Sequence, residues 1–151
     1  MQGKQAVMYV DASVDEKAGK MAGAFLMLWQ QKGGGSDQGG WVSHGGSDSM
    51  LGEALAVCQG LAHATTVLGP GAKVTIFSDN QSLVDLINGK ARTERPDLLR
   101  VLGQIAGYLK EITAKVKYRE RCSTPEMRYV DARAKHLLRD RHGDPRSLQA
   151  A

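Results

Sequence analysis

The sequence predicts an α/β domain, a mixed sheet with helices packed on its faces. Three observations lead there. Apolar runs of strand length crowd the N-terminal third of the chain. Segments with helical spacing then alternate with further strand-like runs. Finally, 151 residues suit one domain with a core large enough to fold unaided.

The elements follow in order. Residues 5–10, QAVMYV, read as a buried strand that ends on Asp11. Residues 23–30, GAFLMLWQ, form a second apolar run. The glycine-rich stretch KGGGSDQGG reads as a flexible connection to a third strand around WVSH. It is not a domain linker, because neither flank alone could build a core. Residues 49–68 carry Met50, Ala54, Val57, Leu61, Ala64 and Leu68 at helical steps, and GPG at 69–71 stops that helix. Residues 73–78 are a fourth strand, and 80–88 a short helix ending at Gly89. After the basic loop KARTER (90–95), Pro96 opens a helix with Leu98, Leu99, Leu102, Ile105, Ala106 and Leu109 in a stripe. KVKYRER (115–121) alternates as a half-buried or edge strand would. STPE then predicts a last helix with Ser123 and Glu126 at capping-box spacing, running to about Arg141. The domain is expected over 1–141, with a flexible tail over 142–151.

Composition narrows the function only a little. The net charge of +4 leans towards polyanionic partners without establishing one. No run is long or apolar enough to span a membrane, and the start lacks the apolar segment of a signal peptide. Cys58 and Cys122 lack metal-site spacing. A reduced, cytoplasmic setting and a monomer are the expectations.

Four acidic residues stand out by position. Asp11 and Asp79 end the first and fourth strands, Glu53 lies among apolar neighbours on the first helix, and Asp131 lies about two turns into the last. Adjacent strands ending at one level would bring Asp11 and Asp79 together, and flanking helices could add the other two. Four carboxylates in one cleft repel unless cations neutralise them, which suits hard ions such as Mg²⁺. Each residue has a plainer reading. Asp79 could cap the next helix. Asp11 could be a turn residue. Glu53 could face solvent. Asp131 could pair with Arg128 or Lys135 on its own helix.

With YVDAS (9–13), GEALAVCQGL (52–61), FSDNQ (77–81) and YVDARAK (129–135), the chain resembles the type 1 ribonuclease H family over roughly residues 5–140. The resemblance implies a ribonuclease H-like fold: a mixed five-stranded sheet of order 3-2-1-4-5, flanked by about four helices. It implies endonucleolytic hydrolysis of the RNA strand of an RNA–DNA hybrid. Carried over, Asp11, Glu53, Asp79 and Asp131 would be the catalytic, metal-binding carboxylates. They would hold two Mg²⁺ ions with substrate bound, Mn²⁺ being a possible substitute. Ser13, Asn80, Gln81, Lys90, Arg92 and Arg121 are the expected substrate-binding residues, with capping an equal role for Asn80. Lys115, Lys117 and Arg119 add a basic strand that either follows phosphates or simply faces solvent.

The chain departs from the family pattern at three places. Ala12 stands where many members have Gly. No Asn precedes the first-helix Glu. The loop before the last helix has Arg121, Cys122, Ser123 and Thr124, where members usually place a His. Slower turnover is the expectation, raised by a His at Arg121 or Thr124. The competing readings are another nuclease on the same fold, cutting branched DNA or structured RNA, and a degenerate module that binds nucleic acid without cutting it.

Overall fold

The structure is a computed structural model that describes residues 4–29 and 34–140. Five strands form one sheet: β1 (Gln5–Asp15), β2 (Lys20–Trp29), β3 (Gly35–Ser43), β4 (Lys73–Ser78) and β5 (Thr113–Tyr118). The helices are α1 (Ser49–Leu68), α2 (Gln81–Ile87), α3 (Pro96–Glu111) and α4 (Pro125–Arg139). The strand order is β3-β2-β1-β4-β5, as the resemblance implies. The β1–β2 and β2–β3 pairs are antiparallel, and the β1–β4 and β4–β5 pairs are parallel.

Alternation along the strands sorts the side chains between two faces. Met8, Val10, Phe25, Met27, Val74, Ile76 and Val116 build the larger core with α1, α2 and α3. Tyr9 and Ala24 point the other way and meet Met127, Val130 and Ala134 of α4. Within the described residues, no helix is long and apolar enough to cross a membrane.

The strand boundaries differ from expectation in an informative way. β1 does not end on Asp11 but continues to Asp15. Its parallel pairing with β4 stops at Tyr9↔Phe77, while its antiparallel pairing with β2 runs on through Asp11↔Ala24 to Asp15↔Lys20. Asp11 is therefore a strand residue and not a turn residue. β3 likewise begins inside the glycine-rich stretch read as a connection. The cause lies on β2. Gly35 and Gly39 pair with Trp29 and Phe25, and Gly23 of β2 pairs with Trp41. Ring atoms of these partners stand within 2.6 Å of where a glycine Cβ would be. The aromatic rings thus lie across the glycines and supply the cross-strand contact that the glycines themselves lack.

Smaller shifts have local causes. β5 starts and ends earlier than its charge alternation suggests, at Thr113–Tyr118. The Asn88 side chain donates to the Val116 carbonyl and occupies part of that strand's open edge (3.1 Å). The cap of α4 is Thr124, whose hydroxyl accepts from the Met127 N–H (3.1 Å). Ser123 instead donates to the Glu120 carbonyl (2.6 Å). Pro125 forces its predecessor into extended backbone, which is cap geometry, so the cap falls on Thr124. Gln30, Arg141 and the tail 142–151 lie outside the described residues.

One close approach sets where α4 sits. A Cβ on Gly40 would stand 2.4 Å from Leu137 Cδ1 of α4 and 2.9 Å from the Gly23 carbonyl oxygen. Because one obstacle is backbone, the strain cannot be relieved by a rotamer change alone. Gly40→Ala is therefore expected to cost about 1–3 kcal/mol in urea unfolding, the range for overpacking. Unchanged stability would show that α4 is not seated on this glycine.

Candidate active site

The site forms where β1 and β4 part. Extending the Tyr9↔Phe77 register by two residues brings Asp11 beside Asp79. β4 ends at Ser78 and the chain turns into α2, so the gap opens at the carboxyl ends of two parallel strands. In open α/β sheets this is where ligands bind. The first turns of α1 deliver Glu53 to the same gap. Gly52 helps α1 come close, since a Cβ there would meet the Ala12 methyl at 3.4 Å. The methyl that departs from the family pattern is thus lodged against a residue with no side chain.

Asp11, Glu53 and Asp79 each offer an oxygen within 4.8 Å of the others. Asp11 and Glu53 are buried, with 2% and 7% exposure, and Asp79 is half-buried. The Ala12 N–H faces two of these carboxylates, donating to Asp11 Oδ1 (2.9 Å) and Glu53 Oε1 (3.2 Å). Glu53 Oε2 is buried and has no hydrogen-bond partner. The solvent-facing reading of Glu53 therefore falls. So does the capping role for Asp79, since Asn80 Oδ1 accepts from the Leu83 N–H (3.0 Å) and is the α2 cap.

Burial and mutual repulsion shape the protonation of the cluster. Burial, then the Asp79 charge, push the Asp11 carboxyl up to about 7. Burial and the charges of Asp11 and Asp79 raise Glu53 well above the usual carboxylate value. Asp79 is also raised, chiefly by burial, with Arg121 opposing and Asp131 reinforcing the shift. Asp131 differs. Burial opposes its ionisation, but Lys135, Asp11 and Arg121 outweigh that and hold it below the usual value. Its two oxygens are taken by Arg121 Nη2 (3.2 Å) and Lys135 Nζ (3.0 Å). The pairing with Lys135 is as expected, whereas Arg128 turns away to the Cys122 carbonyl (3.3 Å).

The other expected residues divide. Arg121 reaches the cluster through Asp131. Gln81 lies on the exposed start of α2 and donates to Asp85 (3.0 Å). Ser13 lies two residues beyond Asp11, beside Lys135 along a cleft between β1 and α4. Lys90 and Arg92 are exposed in the loop after α2, outside the acidic cluster. Thr124 is committed to capping and is not free for replacement by His. Sequence reasoning missed the role of Arg95. It binds Asp97 (2.7 Å) and the α1 cap residue Asp48 (3.1 Å), tying the loop to two helix starts. Only the long-range fold brings Asp48 to it.

A family model described as reverse transcriptase-like matches residues 10–137. No curated protein matches the chain. Among solved structures, RNase H1 of the halophilic archaeon Halobacterium salinarum NRC-1 is similar. It is 20% identical over 90% of this chain and 98% of its own, with a TM-score of 0.77. The N-terminal RNase H domain of rv2228c from Mycobacterium tuberculosis is 17% identical over 98% of this chain and 99% of its own, at 0.77. Prototype foamy virus protease–reverse transcriptase is 14% identical over 98% of this chain but 21% of its own, at 0.64. These likenesses establish the shared fold.

The raised carboxyls make stability depend on pH. The folded state holds these protons more tightly than the unfolded chain, so their stabilising contribution is lost as pH rises through the folded value of about 7 for Asp11. The depressed Asp131 has the opposite sign: its contribution is fully present above the usual carboxylate range and is lost only as pH falls below it, so it does not change between pH 5.5 and 8. Metal-free protein is expected to melt several degrees lower at pH 8 than at pH 5.5, and Asp11→Asn to remove much of that loss. Mg²⁺ should raise the melting temperature more at pH 8. A flat profile unaffected by Asp11→Asn would contradict this electrostatic picture.

Proposed function

Because the chain belongs to the reverse transcriptase-like family and has a ribonuclease H-like fold, we propose that it is a metal-dependent endoribonuclease that hydrolyses the RNA strand of RNA–DNA hybrids. One observation carries this reading. Three carboxylates converge at the carboxyl end of the parallel strands, with a buried Glu53 oxygen left without a partner. A donor set made only of carboxylates suits a hard divalent ion such as Mg²⁺, with Mn²⁺ as a substitute. The partnerless Glu53 oxygen has its lone pairs free for such an ion.

Asp11, Glu53 and Asp79 would hold the first ion, and Asp131 would join them for a second when substrate is bound. Bound divalent ions would supply the activation of water and the stabilisation of the leaving oxygen that phosphodiester hydrolysis needs. The rest falls to the protein. The Ala12 N–H fixes the Asp11 and Glu53 carboxylates relative to each other, so little reorganisation is needed when substrate arrives. Asn80 has committed its carbonyl oxygen to the cap, so its amide N–H groups are the part that can donate to the substrate. Together with Gln81 and Ser13, it is suited to reading 2′-hydroxyls in the shallow minor groove, the feature that separates RNA from DNA. Lys115 and Lys117 stand exposed along β5 beside Arg119, which lies over the Phe77 ring. With Lys90 and Arg92 they offer a basic approach for phosphates.

The test is cleavage of a labelled hybrid, with single-stranded RNA, duplex RNA and duplex DNA alongside. Cutting of only the hybrid's RNA strand in Mg²⁺ or Mn²⁺, abolished by chelator, is the expected result. Asp11→Asn should lower the rate by about two orders of magnitude or more. A folded protein that binds the hybrid yet cuts nothing in either ion would overturn the reading in favour of a binding module. Cutting of branched DNA or structured RNA in preference to the hybrid would favour another nuclease on this fold.

A further inference from the structure

Three of the four acidic residues meet in one cluster, and Asp131 is not among those three. Each of its oxygens carries a cation: Arg121 Nη2 on Oδ1 at 3.2 Å and Lys135 Nζ on Oδ2 at 3.0 Å. Each oxygen keeps a lone pair for an ion. A cation standing against it opposes the approach of a second positive charge, so ligation by Asp131 is favoured when one of these cations moves away.

The two cations are not equivalent. Lys135 is one helical turn further along α4, so the backbone keeps it near Asp131 at all times. Arg121 belongs to the short loop between β5 and α4, and its side chain is 62% exposed. Its loop is held at the next residue, where Cys122 adopts a left-handed backbone (φ 54°) and accepts from Arg128. The backbone is thus anchored while the long side chain is free to reorient. Only one guanidinium nitrogen bonds to Asp131, which leaves most of its donors to spare. The Asp11 and Asp79 charges also act on this group, so it stands over the whole cluster and not over Asp131 alone. A guanidinium also matches the paired oxygens of a phosphate better than an ammonium does.

We propose that Arg121 is an exchangeable counter-ion, which occupies Asp131 in the free protein and passes to a substrate phosphate as Asp131 becomes a metal ligand. This rests on the reading of the acidic cluster as an ion site. The exchange swaps one anion for another at the guanidinium, so no proton moves and no covalent bond changes. Arg121 here is a positioning residue: it delays completion of the ligand set until a phosphate is present to receive its charge.

The test is Mn²⁺ binding to the free protein by calorimetry, for wild type, Arg121→Ala, Arg121→Lys and Asp11→Asn. Folding of each is checked by circular dichroism. Arg121→Ala should bind Mn²⁺ roughly two- to fivefold more tightly, the size of a half-exposed ion pair. Arg121→Lys, which keeps the charge, should stay near wild type. Binding of a non-cleavable hybrid analogue in Mn²⁺ should lose about one unit of salt dependence in Arg121→Ala, reflecting one phosphate contact. Mn²⁺ affinity unchanged or weakened in Arg121→Ala, with Asp11→Asn still abolishing binding, would overturn the proposal and leave the ion site standing. Wild type that binds no Mn²⁺, or Asp11→Asn that binds it equally well, would overturn the ion site and this proposal together.

Discussion

The burial of Asp11 and Glu53 beside Asp79, and the repulsion among the three carboxylates, are the constraint around which this molecule is arranged. Their oxygens lie within 4.8 Å of one another, and two unit charges at that limit repel by about 3–4 kcal/mol at the effective dielectric that suits protein sites. Three such groups, two of them buried, cannot all be ionised without a compensating charge. In the metal-free chain, protons meet part of this demand, which is why burial and neighbouring charges lift Asp11 to about 7 and Glu53 well above its usual value. A divalent cation would meet it more completely. Asp131 differs because two cations, Arg121 and Lys135, already lie against its oxygens.

The scaffold holds the repelling groups together through close packing. β1 pairs with β4 only as far as Tyr9, then stays with β2, so Asp11 is held rigidly at the mouth of the gap. Residues with little or no side chain bring the helices close. Gly60 admits the buried Met8 against α1, its missing Cβ lying only 2.3 Å from the sulfur. Gly52 and Ala12 fit against each other where α1 delivers Glu53. Gly40 lets Leu137 of α4 rest on β3, which fixes the helix that carries Asp131. The acidic cluster therefore depends on contacts spread across both faces of the sheet.

Much of this was legible in the sequence because the signals were local. The apolar period and the GPG stop delimited α1, and Pro96 marked the start of α3. The strand β4 was bounded by the same GPG and by Asp79. The four acidic positions stood out by station, two at the ends of strand-like runs and two on helices among apolar neighbours. What escaped was set by distant partners. Nothing local in GSDQGG (35–40) announces a strand, because the rings that lie over Gly39 and Gly35 belong to Phe25 and Trp29 on the neighbouring strand. The extension of β1 past Asp11 depends on β2 outlasting β4. Arg95 looked like one more cation in a basic loop until the fold brought Asp48 beside it. The α4 cap was misread by one residue because the capping-box pattern outweighed the backbone demand of Pro125.

The measurement that tests the central claim most directly is proton release on Mg²⁺ binding, read by calorimetry at pH 7 in two buffers of different ionisation enthalpy. If the cluster is a cation site held partly protonated by burial, each ion should displace protons, and the observed heat should change with the buffer. Binding with no buffer dependence would mean that the carboxylates are already ionised and that repulsion is not what shapes the site. No binding at all would remove the metal from the account.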